Sequence, residues 1–190
     1  GRLALSDFHS VRRASPPANA LRVQRWSDLR VATHTFYDYI NISPDWFDSA
    51  ESIWEREDTF FHEFGHSIRH VADGPSDHWN WDNFRWAYAR SHSGNEIFNM
   101  QYAFNEGWAG YWARARPGAP STPDGPYGSP HAPGFLHWNE NQIADRLFTL
   151  SRLPGSSDAL MVDILVTNPG SIHTLFEFES RLNARLGLPA

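Results

Sequence analysis

Hydrophobic positions change period along the 190-residue chain. Residues 1–20, with "RRASPPANA", carry little periodicity and read as an irregular lead-in. Between Leu21 and Ile42 β-branched and aromatic residues become frequent. There "VATHTFYDYINI" alternates well enough to predict a strand, with one or two strands in a small sheet. The period then lengthens. "SPDWFDSAESIWERED" has a Ser-Pro start and helical composition, and leads into "TFFHEFGHSIRH" at 59–70, where Phe61, Phe64, Ile68 and Val71 make one apolar helical face. Gly74 and Pro75 cannot continue that helix. "WNWDNFRWAYAR" predicts a second helix, and "NEIFNMQYAFNEGWAGYWARAR" a longer third that ends at Pro117. Residues 117–134 hold six Pro and four Gly and predict an extended loop. "NENQIADRLFTLSRL", "SDALMVDILVTN" and "SIHTLFEFESRLNARLG" then read as amphipathic helices, broken by Pro154, Gly155, Pro169 and Gly170. The sum predicts a helix-rich α+β class, with a small N-terminal sheet followed by a long helix and a helical C-terminal half.

Length and composition narrow the possibilities. An apolar content of 41%, with thirteen Phe and nine Trp, is ample for one packed core, so residues 1–190 are expected to form a single domain. Apolar runs are only a few residues long and no apolar leader opens the chain, so neither a membrane span nor a signal peptide is expected. Cysteine is absent, which excludes disulfides, thiolate ligands and a Cys nucleophile. Any metal must therefore be held by His and carboxylate. Lysine is also absent, and the arginines are scattered among acids at a net charge of −6, which argues against nucleic acid or an anionic membrane as the main partner.

The candidate chemistry lies in His62-Glu63-Phe64-Gly65-His66. Residues four apart on a helix share a face, so His62 and His66 can present two imidazoles to one ion. Glu63 is rotated about 100° from His62, which lets it reach a metal-bound water without taking a coordination position. A catalytic zinc usually takes three protein ligands and leaves a fourth position for water. His70, Glu96 and Glu106 are the candidates for the third. Each step of four drifts about 40° round the helix, so His70 diverges from the point that His62 and His66 share. Glu106 stands in "FNEGWAGYWA", where Gly107, Ala109 and Gly110 allow two helix backbones to approach closely; Glu96 lacks such neighbours.

His-Glu-Phe-Gly-His at 62–66 followed by Asn-Glu-Gly-Trp-Ala at 105–109 resembles the gluzincin group of zinc metallopeptidases. The later "HWNENQIADRLFTLSRL" looks like a segment found in some bacterial members. The resemblance implies a zincin-like fold and one Zn2+ on His62, His66 and Glu106, with Glu63 as general base. It also implies a protein or peptide substrate bound extended on a sheet edge, here near residues 31–42, and action outside the producing cell. Thermolysin-like members carry an Asp four residues after the ligand Glu; this chain has Gly110, so Asp73, Asn105 or Glu140 would have to orient the zinc histidines instead. A donor is also needed for the tetrahedral oxyanion, and Tyr111 and His137 rank ahead of Tyr102. Two alternatives stand beside this reading. One is a non-catalytic aromatic-rich domain that binds peptide or glycan; the other is a degenerate metallopeptidase whose zinc is structural.

Overall fold

The computed structural model describes residues 22–25, 34–36, 39–42, 53–73, 99–116 and 136–189. The loop expected at 117–134, the helix expected at 79–90, the lead-in at 1–20 and the ligand candidate Glu96 lie outside the described residues.

Helix α1 (Ile53–Asp73) carries the histidine motif and ends immediately before Gly74 and Pro75. Phe61, Phe64, Ile68 and Ala72 on one face are buried. Helix α2 (Met100–Ala115) begins at Asn99, whose side chain accepts the Tyr102 backbone N–H at 2.8 Å and satisfies a donor that the helix start leaves over. It is buried almost all round, from Tyr102 through Ala109 and again from Tyr111 through Ala113. Such a helix belongs at the centre of a core, and α2 packs against α1 on one flank and α3 (Glu140–Ser151) on the other. Helices α4 (Asp158–Thr167) and α5 (Leu175–Leu186) complete the core through Met161, Leu165, Phe178 and Leu182. A 3-10 turn, Leu136–Trp138, precedes α3. No described helix is long and apolar enough to cross a membrane.

Glycine sets both spacings around α2. A Cβ on Gly65 of α1 would lie 2.7 Å from the Ala109 Cα, and one on Gly107 of α2 would lie 2.5 Å from Ile143 Cγ2 of α3. Neither helix could come so close with a side chain at those positions.

The expected α+β class is corrected: the described residues are overwhelmingly helical, and helices build the core. Segments of extended backbone, β1 (Arg22–Arg25), β2 (His34–Phe36) and β3 (Tyr39–Ile42), pair in the order β1-β3-β2, parallel then antiparallel. At three or four residues each they are at the short end of the range for strands. Ile40 of β3 is buried in the core. The alternation in 31–42 is real, but an alternating pattern does not say how far pairing will extend. The zincin-like arrangement of a sheet layer followed by helices falls with this correction.

Candidate metal centre

The i, i+4 spacing on α1 places the His62 and His66 rings 4.9 Å apart and nearly perpendicular. Glu106 reaches them from α2. Its Oε2 lies 3.2 Å from His62 Nε2 and 3.5 Å from His66 Nε2, and one candidate ligand atom from each of the three residues lies within 4.8 Å of the others. Ligand bonds of 2.0–2.1 Å at tetrahedral angles put neighbouring ligand atoms about 3.3 Å apart. The two observed separations bracket that value. Two imidazole nitrogens and a carboxylate oxygen are also the donor types that a cysteine-free zinc site requires. The donor set and its spacing fit the ion.

The electrostatics of the metal-free cluster bear on how it would load. Burial disfavours the Glu106 carboxylate, but the imidazoles of His66 and His62 hold it well below the ordinary carboxylate range. For His62 burial likewise disfavours the charged form. The hydrogen bond to Glu106 and the charges of Glu106, Glu63 and Glu140 outweigh it and push the imidazole up to about 9. A folded value above the ordinary 6.5 means that this pair stabilises the metal-free fold fully below that pH and loses the contribution as pH rises through about 9. Metal binding has the opposite sign, because the ion must displace the His62 proton. Zinc affinity, measured by chelator competition between pH 7 and 9, is expected to rise by about tenfold per unit and to level off near the upper end. An affinity independent of pH over that interval overturns this expectation.

A cavity of about 210 Å³ opens beside the cluster. It is lined by Asp58, Thr59 and His62 of α1, Glu106, Gly110, Ala113 and Arg114 of α2, and Glu140 and Asn141 at the start of α3. Two ion pairs brace its walls, Arg116 to Asp58 at 2.5 Å and Arg114 to Asp145. Gly110 now has a structural reason: a Cβ there would sit 3.1 Å from the Ala144 Cβ, so α3 occupies the space a larger residue would need. Glu140, in the first turn of the same helix, also lines the cavity. Of the three residues considered for orienting the histidines, Glu140 is placed there, Asn105 is fully buried in α2, and Asp73 is the last residue of α1.

Glu63 is 8% exposed and near enough for its charge to act on His62, but it does not line the cavity. His70 is half-buried and outside the cluster. Tyr111 and His137 are not brought to the site. Tyr111 is fully buried, and its hydroxyl donates to Asp158 Oδ1 at 2.6 Å, tying α2 to α4. Burial, and beyond it the Asp158 carboxylate, holds its phenol well above the ordinary value. His137 stacks on Phe176 of α5, ring centroids 3.4 Å apart. Tyr102 is also buried. Cavity residues that sequence reasoning did not single out are Asp58, Thr59, Ala113, Arg114 and Asn141. Asp58 lies one turn before His62 and Arg114 two turns after Glu106, a helical spacing that could have flagged both.

Comparison with protein families, with curated proteins and with solved structures finds no match for this chain.

Proposed function

We propose that the protein is a zinc-dependent metallopeptidase that holds one Zn2+ on His62, His66 and Glu106. The observation that carries this reading is the convergence of both Nε2 atoms of an i, i+4 histidine pair on one oxygen of a carboxylate forty residues beyond His66. Bound zinc would supply a Lewis acid for the scissile carbonyl and lower the pKa of water to about 7. The chain's own residues do the rest. His62, His66 and Glu106 orient the acceptor site from two helices locked at Gly65. Glu63 takes a proton and returns it to the leaving amine. Asn141 and Arg114 line the cavity, where the Arg114 guanidinium is held by Asp145 and by the Asn141 carbonyl at 3.1 Å.

The test separates binding from chemistry. Zinc-loaded wild type is expected to cleave an unfolded protein substrate, with Glu63→Gln keeping one zinc per chain and losing activity by about 10²–10⁴-fold. Equal activity in the variant removes Glu63 from the mechanism. A zinc-loaded wild type that cleaves nothing removes the peptidase reading.

One observation favours a second reading, in which the metal fastens α1 to α2 and no bond is cut. Glu63 is buried and outside the cavity lining, where a base must meet its water. That reading is distinguished by stoichiometric zinc, a large rise in melting temperature on loading, and no cleavage.

A further inference from the structure

A carboxylate delivered from one helix to two histidines on another needs the helices held in register as well as in contact. At the crossing of α1 and α2 the touching groups are Gly65 and the backbone of Ala109, since a Cβ on Gly65 would lie 2.7 Å from Ala109 Cα and 3.2 Å from Ala109 O. Small residues against backbone fix how near two helices come. By themselves they resist sliding along the axis poorly, although the Trp112 Cβ also stands 3.2 Å from a Cβ placed on Gly65 and its ring meets Phe64 of α1. A slide of one residue is about 1.5 Å. Metal ligands tolerate only about 0.2 Å.

At this contact a side chain of α2 donates to the backbone of α1. Trp108 Nε1 donates to the Gly65 carbonyl at 3.1 Å. Gly65 sits between the two histidines in sequence, and Trp108 lies two residues after Glu106. A carbonyl oxygen in mid-helix has a second lone pair beyond the one used by its helical partner, so it can accept the indole without breaking α1. The ring is also fixed in place. It is fully buried and packs on Tyr111, Trp112 and Phe178 at centroid distances of 5.7, 6.2 and 5.8 Å. The donor therefore has one place to point.

We propose that Trp108 is the positioning residue of the metal centre, setting the register of α2 on α1 through its hydrogen bond to Gly65 and so placing Glu106 against both histidines. The inference rests on the metal-site reading above. The same helix contains its control. Trp112 is also buried, packs on Phe64 at 6.2 Å, and its Nε1 has no hydrogen-bond partner among the described residues. Phe at 108 and Phe at 112 remove the same volume and the same N–H, but only the first removes a bond between the helices.

The experiment compares Trp108→Phe and Trp112→Phe with wild type by zinc affinity, by the visible spectrum of the Co2+-substituted protein, and by melting temperature in the metal-free state. Trp108→Phe is expected to weaken zinc binding by about 10–100-fold, the range for groups that orient ligands, and to shift the cobalt bands. Trp112→Phe is expected to keep wild-type affinity and spectrum at a similar melting temperature. Wild-type affinity and spectrum in Trp108→Phe, or equal losses in both variants, overturn the role of Trp108 alone. A wild type that binds neither ion overturns the metal site itself. If Trp108→Phe does not fold, benzothienylalanine at 108 keeps the ring shape and replaces N–H by sulfur, and the same comparison applies.

Discussion

Glu106→Ala is expected to leave the protein folded and to abolish stoichiometric zinc. Losing a group that merely orients a ligand costs 10–100-fold in affinity, so losing one of three ligands should cost more, on the order of a thousandfold. Elemental analysis after dialysis would then find about one zinc per wild-type chain and almost none in the variant, with His66→Ala behaving alike. The fold should survive because Glu106, 7% exposed, faces the cavity between helices and not the apolar core. Removing it also removes the main group that holds a proton on His62, so the imidazole falls from its raised value and the metal-free variant loses most of the stability contribution that fades through about pH 9. Tight, stoichiometric zinc in Glu106→Ala would mean that the carboxylate pairs with the histidines as a plain ion pair and that the metal, if any, is held elsewhere.

Gly65→Ala should destabilise the protein although alanine is the better helix former. Propensity alone predicts a gain of about 1 kcal/mol in a helix interior. Against this, the new methyl would stand 2.7 Å from Ala109 Cα and 3.2 Å from Trp112 Cβ, and the nearest of these is backbone that cannot rotate away. Overpacking of this kind typically costs about 1–3 kcal/mol and occasionally more, and here it must first cancel the propensity gain. A net loss of about 1 kcal/mol corresponds to a fall in melting temperature of roughly 2–4 °C for a chain of this size. Zinc affinity should fall with it, because α2 can relieve the clash only by moving away from α1, and Ala109 is three residues from Glu106 on the same rigid helix. Thermal unfolding with and without zinc separates the two effects. A variant as stable as wild type with full zinc occupancy would show that the helices are not locked at this crossing.

What local sequence determines in this chain is what short-range geometry determines. Four-residue spacing on a helix brings His62 and His66 together whatever the rest of the chain does, because 3.6 residues per turn is a property of the backbone. The buried face of Phe61, Phe64 and Ile68 and the end of α1 before Gly74 and Pro75 are legible for the same reason. The three glycine and alanine positions after Glu106 announce a close approach, though not which helix comes close: Gly107 and Gly110 face α3, and Ala109 meets α1.

Everything that depends on which way a helix faces was decided by tertiary packing. Tyr111 and Glu106 are five residues apart on α2, about 140° round the axis, so one turns toward Asp158 and the other into the cavity. Residue type alone makes a tyrosine near a ligand a plausible donor; only the packing of α4 against α2 commits its hydroxyl elsewhere. His137 was drawn to Phe176, a partner thirty-nine residues away that no local pattern connects to it. The alternating stretch at 31–42 carried the period of a strand, but whether short strands grow into a layer depends on partners beyond their own pattern, and here helices took the core. Glu140 entered the cavity because Gly107 and Gly110 let α3 lie against α2. Sequence periodicity fixes positions around one helix axis; the rotation of that axis against its neighbours is a long-range quantity, set when the apolar faces of α1, α2 and α3 are buried together.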